Sequence, residues 1–228
     1  IIESRWNDEM NYKGYVYGQQ KMIAQFNCTG DWAFYIEGDE VYHEQDLEQI
    51  KKSMELNLND ANVEALVFDF HHFYGNAVSV LDSPGWYRSE ARIIKNSVRS
   101  YAPDGLFWLI LDSNKKGRYP RAKRTGVTCY HYGWVRSEKQ MNLKSSKVQK
   151  YWGKEPVAID YSKMDQSIIK EFKGSHPKIV KDWLPKATGL YMADSNYEPS
   201  AKQKKHRIML KLEDLFGLEL SKKHFKLV

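Results

Sequence analysis

Cysteine is scarce in this chain: two in 228 residues, Cys28 and Cys129, far apart and without metal-ligand or redox spacing. That excludes a disulfide-framework protein and a thiolate metal site, and reduced thiols in a cytoplasmic protein are the simplest account, with a disulfide between the two left open. No apolar stretch approaches the ~18 residues that a membrane span requires. The opening IIESRW lacks the basic, apolar and small-residue succession of a signal peptide, so a soluble chain is expected. Internal repeats and low-complexity tracts are absent as well, which excludes an array of repeated units. An initiating Met is also missing, and Ile1-Ile2 reads as a strand already under way, so the chain is expected to be a fragment of a longer protein.

What is present can bury a core: 42% of residues are hydrophobic, enough for one large domain or two small ones. Seven Trp and fifteen Tyr suit sugar sites, because flat rings with polar edges match pyranose faces, and they equally fill ordinary cores. The net charge is +6, but Ala201–Val228 holds eight Lys/Arg against three acids, so +5 of it lies in that tail. Within the tail, AKQKKHRIMLKLEDLFG reads as an amphipathic helix with Ile208, Leu212 and Leu215 on one face and lysines on the other. Packing of that face on its own domain is the first expectation, and peripheral association with an anionic membrane surface is the second. No nucleic-acid motif accompanies the charge, so nucleic acid is not an expected partner.

Along the chain, Gln19–Asn27 places Met22, Ile23 and Phe26 on one helical face. Leu47, Ile50, Met54 and Leu58 mark an amphipathic helix over His43–Leu58, and Ala65–Phe73 reads as a buried strand. The alternation of strand, helix and strand favours a layered α/β sheet. Further strands are expected at Ala91–Lys95 and Val127–Val135. The intervening Asn114–Gly126, with six basic residues and no acid, reads as a loop, either merely solvated or neutralising a phosphate. Ser137 with Gln140 forms a capping-box pattern opening a helix to about Trp152. SHPKIVKDWL starts a helix with Pro177 at its first position, and LPKATGLYMADSNYEPS reads as irregular.

The most informative segment is DWAFYIEGDE, Asp31–Glu40, an apolar aromatic run ending in Glu37, Asp39 and Glu40 around Gly38. Such a run reads as a buried strand delivering acids to a sheet edge. In open α/β sheets, ligands sit beyond the carboxyl ends of the strands, where acids can hold a divalent cation that in turn holds phosphates. The plainer reading is that these carboxylates cap the helix beginning near Glu44.

Together with HHFYG (His71–Gly75), WYRSEARIIKN (Trp86–Asn96), HYGWVR (His131–Arg136) and GSHP (Gly174–Pro177), this segment resembles bacterial family-two glycosyltransferases of the GT-A fold. The resemblance spans residues 1–184 and leaves 185–228 as a C-terminal extension with a basic helix. It implies an α/β fold with a mixed, mainly parallel sheet flanked by helices, and it implies that two N-terminal strand-helix units, with the nucleotide-base pocket, are missing before Ile1. It also implies a DxD-like motif at Glu37-Gly38-Asp39 binding Mn²⁺ or Mg²⁺, with Glu40 a spare carboxylate and His131 completing the metal site. The donor would be a UDP- or GDP-linked sugar, with Arg136 and Lys144 reaching its diphosphate.

The expected activity is then transfer of a sugar, with inversion, to a saccharide or lipid-linked acceptor for a surface glycan, in the cytoplasm or at the inner membrane surface. Departure of a nucleoside diphosphate leaves charge that a cation and nearby Lys/Arg stabilise, and the acceptor hydroxyl needs a carboxylate base. Glu90, set among aromatics and arginines, is the candidate base, with Asp69 and Asp82 in reserve. Pairing of Glu90 with Arg88 or Arg92 is the alternative. His72, Trp86 and Tyr87 are candidate acceptor contacts. Two rivals stand: a GT-A-like module that binds carbohydrate or a partner without turnover, and a metal-dependent phosphohydrolase, which needs more His and Asp ligands than the chain assembles.

Overall fold

The computed structural model describes residues 1–184, 194 and 196–228. Its strands, in chain order, are β1 (Trp32–Phe34), β2 (Glu40–Tyr42), β3 (Ala65–Tyr74), β4 (Ser79–Leu81), β5 (Ser89–Lys95), β6 (Ser100–Tyr101), β7 (Leu109–Leu111), β8 (Gly117–Arg118), β9 (Arg121–Trp134), β10 (Ile169–Glu171) and β11 (Lys226–Leu227). The helices are α1 (Tyr15–Phe26), α2 (Leu47–Asn57), α3 (Glu138–Val148) and α4 (Ala201–Phe216).

β3 is central because almost every residue of ALVFDFHHFY is buried, as expected of a strand covered on both faces. It pairs antiparallel with β5 and β4 and parallel with β9. β9 carries β2 antiparallel and β11 parallel, while β1 and β10 extend the sheet beyond β5 and β4. The result is a curled, mixed eight-stranded sheet, with β6, β7 and β8 in a separate small antiparallel one. One apolar cluster gathers Val67, Ile94, Trp108 and Phe225, and a second packs Phe68, Ile93 and Cys129 with Ile50 of α2.

Several sequence expectations hold. α2 and α3 lie where the periodicity and the capping box place them, and both cysteines are free. No described helix is long and apolar enough to cross a membrane.

Others need correction. The sheet is not mainly parallel: among the described residues, parallel pairing is confined to β3–β9 and β9–β11, because a run buried on both faces does not encode the direction of its neighbour. Ile1–Trp6 is exposed and irregular rather than a strand, although the Trp6 ring packs edge-on against Tyr17 and Tyr151. In α1 the buried positions are Val16, Gly18 and Lys21, and Phe26 faces solvent.

The basic segment over 114–126 is largely strand. Arg118 and Arg121 pair with Glu64, Lys123 with Asp60, and Arg124 with Asp69 and Glu219, so these cations are consumed in stitching β9 to its neighbours. Pro177 caps a short 3-10 turn at Lys178–Val180 instead of opening a helix. The irregular stretch expected over 184–200 lies mostly outside the described residues.

The last segment returns to the sheet. Glu213 of α4 accepts from Arg88 at 2.7 Å, Arg207 donates to Asp165 at 2.6 Å, and β11 pairs with the start of β9.

Candidate functional site

The acidic segment becomes β1, a tight turn over residues 37–40, and β2. The turn is fastened from three sides: Glu37 N–H donates to the Glu40 carboxylate at 3.2 Å, Glu40 N–H to Glu37 C=O at 3.0 Å, and Tyr132 N–H to Asp39 C=O at 2.8 Å. Glu40 is therefore not spare. It receives both Nε and Nη2 of the fully buried Arg92, at 3.0 and 2.6 Å, and this buried pair anchors the turn from beneath. Burial opposes the Arg92 charge, but Glu40 outweighs it and holds the guanidinium protonated.

Register brings the histidines to the turn. On β9, His131 lies opposite Glu40 of β2 on one side and His72 of β3 on the other. Its Nε2 stands 3.6 Å from Asp39 Oδ1, and Lys144 of α3 donates to Asp39 Oδ2 at 3.1 Å. Burial raises Asp39, but attraction to His131, Lys144 and Arg136 outweighs it and keeps the carboxyl below the usual range. Gly133 makes the approach feasible, since a Cβ there would lie 2.5 Å from His131 Nε2 and 2.8 Å from Asp39 Oδ2.

The hydrogen-bond chain fixes the protons. His72 Nε2 faces the Tyr87 carbonyl at 2.7 Å, and a carbonyl only accepts, so Nε2 carries a hydrogen. Burial drives the His72 pKa down to about 3, so the ring is neutral and its Nδ1 is an acceptor. That Nδ1 sits 2.8 Å from His131 Nδ1, which must be the donor. Burial also lowers His131, against the pull of Asp39 and Glu40, and its Nε2 points toward the Asp39 carboxylate. His131 Nε2 and Asp39 Oδ1 thus face each other across 3.6 Å.

Asp39 and His131 are the residues there that could contribute to holding a divalent cation. Among the described residues no group of three or more His, Cys, Asp or Glu side chains is arranged to hold a metal, so these two could supply only part of its shell. Such a sparse set suits Mg²⁺ or Mn²⁺, which take one or two protein ligands and complete their shells with water and substrate phosphates. The carboxylate of Glu37 turns toward Arg92, 3.7 Å from Nη2, rather than joining them, and burial raises its pKa to about 7.

Beside Asp39 opens a cavity of about 260 Å³, lined by Gly38, Tyr132, Arg136, Ile179, Val180 and Trp183. Among the described residues Arg136 Nε is buried without a hydrogen-bond partner, and the Trp183 ring stands edge-on to Tyr132 at 5.6 Å. A larger cavity of about 660 Å³ lies under α4, but its Arg88, Asp82, Glu213 and Arg207 are tied into ion pairs, so the chemistry points to the smaller one.

The expected site residues therefore divide. Asp39, His131, Arg136 and Lys144 converge. His72 lies behind His131 and orients it, and Tyr87 and Trp86 pack on the His72 ring at 4.6 and 5.4 Å instead of lining an open surface. Glu90 is 1% exposed, and its partner is neither Arg88 nor Arg92 but His224, whose Nδ1 lies 2.6 Å from its Oε2. Asp69 is held by Arg124, and Asp82 by Arg88 and Lys170. Gly133 and Trp183 were not singled out from the sequence. The GW step after HYGWVR's histidine was visible, but nothing local says that its glycine admits two side chains. Compared with known proteins, the chain matches no family model and no curated protein.

Proposed function

We propose that this chain is a metal-dependent glycosyltransferase of the GT-A type, transferring a sugar from a nucleotide donor to a saccharide or lipid-linked hydroxyl. One observation carries the reading: His131 Nε2 and the Asp39 carboxylate face each other at 3.6 Å, with Lys144 on the other carboxylate oxygen, beside a cavity that Arg136 lines. Asp39 and His131 would hold Mn²⁺ or Mg²⁺, which when bound supplies Lewis-acid stabilisation of a leaving diphosphate. Lys144 and Arg136 stand where negative charge would develop, and the unpartnered Arg136 Nε has a donor to give. Trp183, exposed at the cavity, offers a ring to a sugar, the task the sequence had suggested for Trp86 and Tyr87.

The test is a thermal-shift series with nucleoside diphosphates, with and without Mn²⁺. A ligand bound only by the folded chain raises its melting temperature by mass action, and the shift should require both components. Asp39→Ala should abolish it. Equal shifts with and without Mn²⁺, or an Asp39→Ala variant that still responds, would sink the reading.

A second reading, binding without turnover, is favoured by the enclosure of Glu90 and the pairing of Asp69 and Asp82, which leaves no expected base open beside Asp39. Mn²⁺-dependent hydrolysis or transfer from a sugar nucleotide separates the two.

A further inference from the structure

α4 is mounted with its apolar stripe outward. Ile208, Leu212, Leu215 and Phe216, at i, i+4, i+7 and i+8, share one side of the helix and are 62, 40, 74 and 63% exposed. The first expectation from sequence, that this stripe packs on its own domain, is thereby overturned. The inward side is polar in its anchors: Glu213 accepts from Arg88 and from Leu220 N–H, Arg207 holds Asp165, and the His206 ring lies so close to Gly85 that a Cβ there would overlap it. Of the apolar residues of α4, Leu210 is the one packed into a core cluster among the described residues. The outward stripe is thus a fixed property of the fold, since turning the helix over would break each of these anchors.

The stripe is framed by cations. Lys204 and Lys205, at i−4 and i−3 from Ile208, and Lys211, at i+3, are exposed and form no ion pair with any described residue. The two acids of α4, Glu213 and Asp214, fall at i+5 and i+6, off the stripe. Leu218, just past the Gly217 cap, is exposed too but lines the cavity under α4 rather than the stripe.

We infer that this face of α4 docks the protein on an anionic lipid bilayer, with Ile208, Leu212, Leu215 and Phe216 in the acyl boundary and Lys204, Lys205 and Lys211 at the headgroup phosphates. The argument is complementarity. An aliphatic stripe bordered by unpaired lysines, with no acid on the same side, matches a surface that is apolar within and negative at its rim. The inference stands apart from the proposed reaction, because α4 contributes nothing to the Asp39 site.

The experiment is flotation of the whole chain with vesicles of phosphatidylcholine containing about a third phosphatidylglycerol, against pure phosphatidylcholine. Binding to the anionic vesicles should exceed that to neutral ones by roughly tenfold, and raising the salt to about 0.5 M should remove most of it. Ile208→Glu with Leu215→Glu should abolish flotation, and charge reversal of Lys204, Lys205 and Lys211 should weaken it strongly. Leu56→Glu, on the exposed side of α2, should float like the parent chain. All these positions are exposed, so melting curves should match the parent and separate lost docking from lost folding. Equal flotation of the Ile208/Leu215 variant would overturn the inference, as would equal binding to neutral vesicles. So would a dimer on gel filtration that this variant dissociates, which would assign the face to a second copy.

Discussion

Gly133 shows how one missing side chain sets a site. With a Cβ 2.5 Å from His131 Nε2 and 2.8 Å from Asp39 Oδ2, the two side chains could not keep their spacing. Gly133→Ala should cost about 1–3 kcal/mol by overpacking and abolish the Mn²⁺-dependent thermal shift, which calorimetry with and without the ion would measure. Beneath the turn, Lys21 lies 3.7 Å over Trp108 and 4.0 Å over Tyr35, and burial lowers its pKa to about 7. Between about 7 and the ordinary 10.5 the unfolded chain holds a proton there that the folded chain has released, so stability rises with pH across that window. Glu37 acts lower. Its folded value of about 7 lies above the ordinary 4.5, so the folded chain keeps a proton that the unfolded one has lost, and stability falls as pH climbs through that interval. Denaturant melts should therefore show a minimum near neutrality. Lys21→Met should remove the alkaline rise and Glu37→Gln the acidic fall. Of these residues, Asp39 and His131 were legible as an acid after an apolar run and a histidine at a strand end. Gly133, Trp183 and the orienting part of His72 were not, since each depends on which strands become neighbours.

At the scale of elements, α3 couples local sequence to the site. Ser137 Oγ accepts from Gln140 N–H at 3.3 Å while Gln140 Oε1 accepts from Ser137 N–H at 3.2 Å, and the helix so begun carries Lys144 to Asp39. Ser137→Ala should cost about 1 kcal/mol, a drop of roughly 2–4 °C in melting temperature for a chain of this size, and should weaken nucleotide affinity with Asp39 untouched. A calorimetric melt paired with a nucleotide titration checks both. α2 and α3 could be read from the chain because their signals, apolar period and capping box, lie within one element. The first half of β9 could not. Arg121, Lys123 and Arg124 look like loop residues until Glu64, Asp60 and Asp69 are seen beside them.

Across the whole molecule, the C-terminal residues behave as part of the body. Phe225 is buried in the cluster with Val67 and Trp108, and His224 stacks on Phe107 at 4.3 Å while holding Glu90. Deleting residues 224–228 strands a buried carboxylate and empties a core position, so loss of a cooperative thermal transition is expected. His224→Gln, which can still donate to Glu90, should retain the transition at a lower temperature, and circular dichroism melts would rank the three. The alternation of strands and helices made a layered α/β sheet legible. The antiparallel partners of β3 and the return of the tail were hidden, because they join residues more than a hundred positions apart in places, such as Glu90 and His224.

β11 pairs with β9, yet among the described strands it comes last in chain order. Until β11 and His224 have emerged from the ribosome, the sheet cannot close around Glu90. Until then, an unpaired edge and an uncovered carboxylate wait in the open, which makes the growing polypeptide a natural client for chaperones that shield nascent strands.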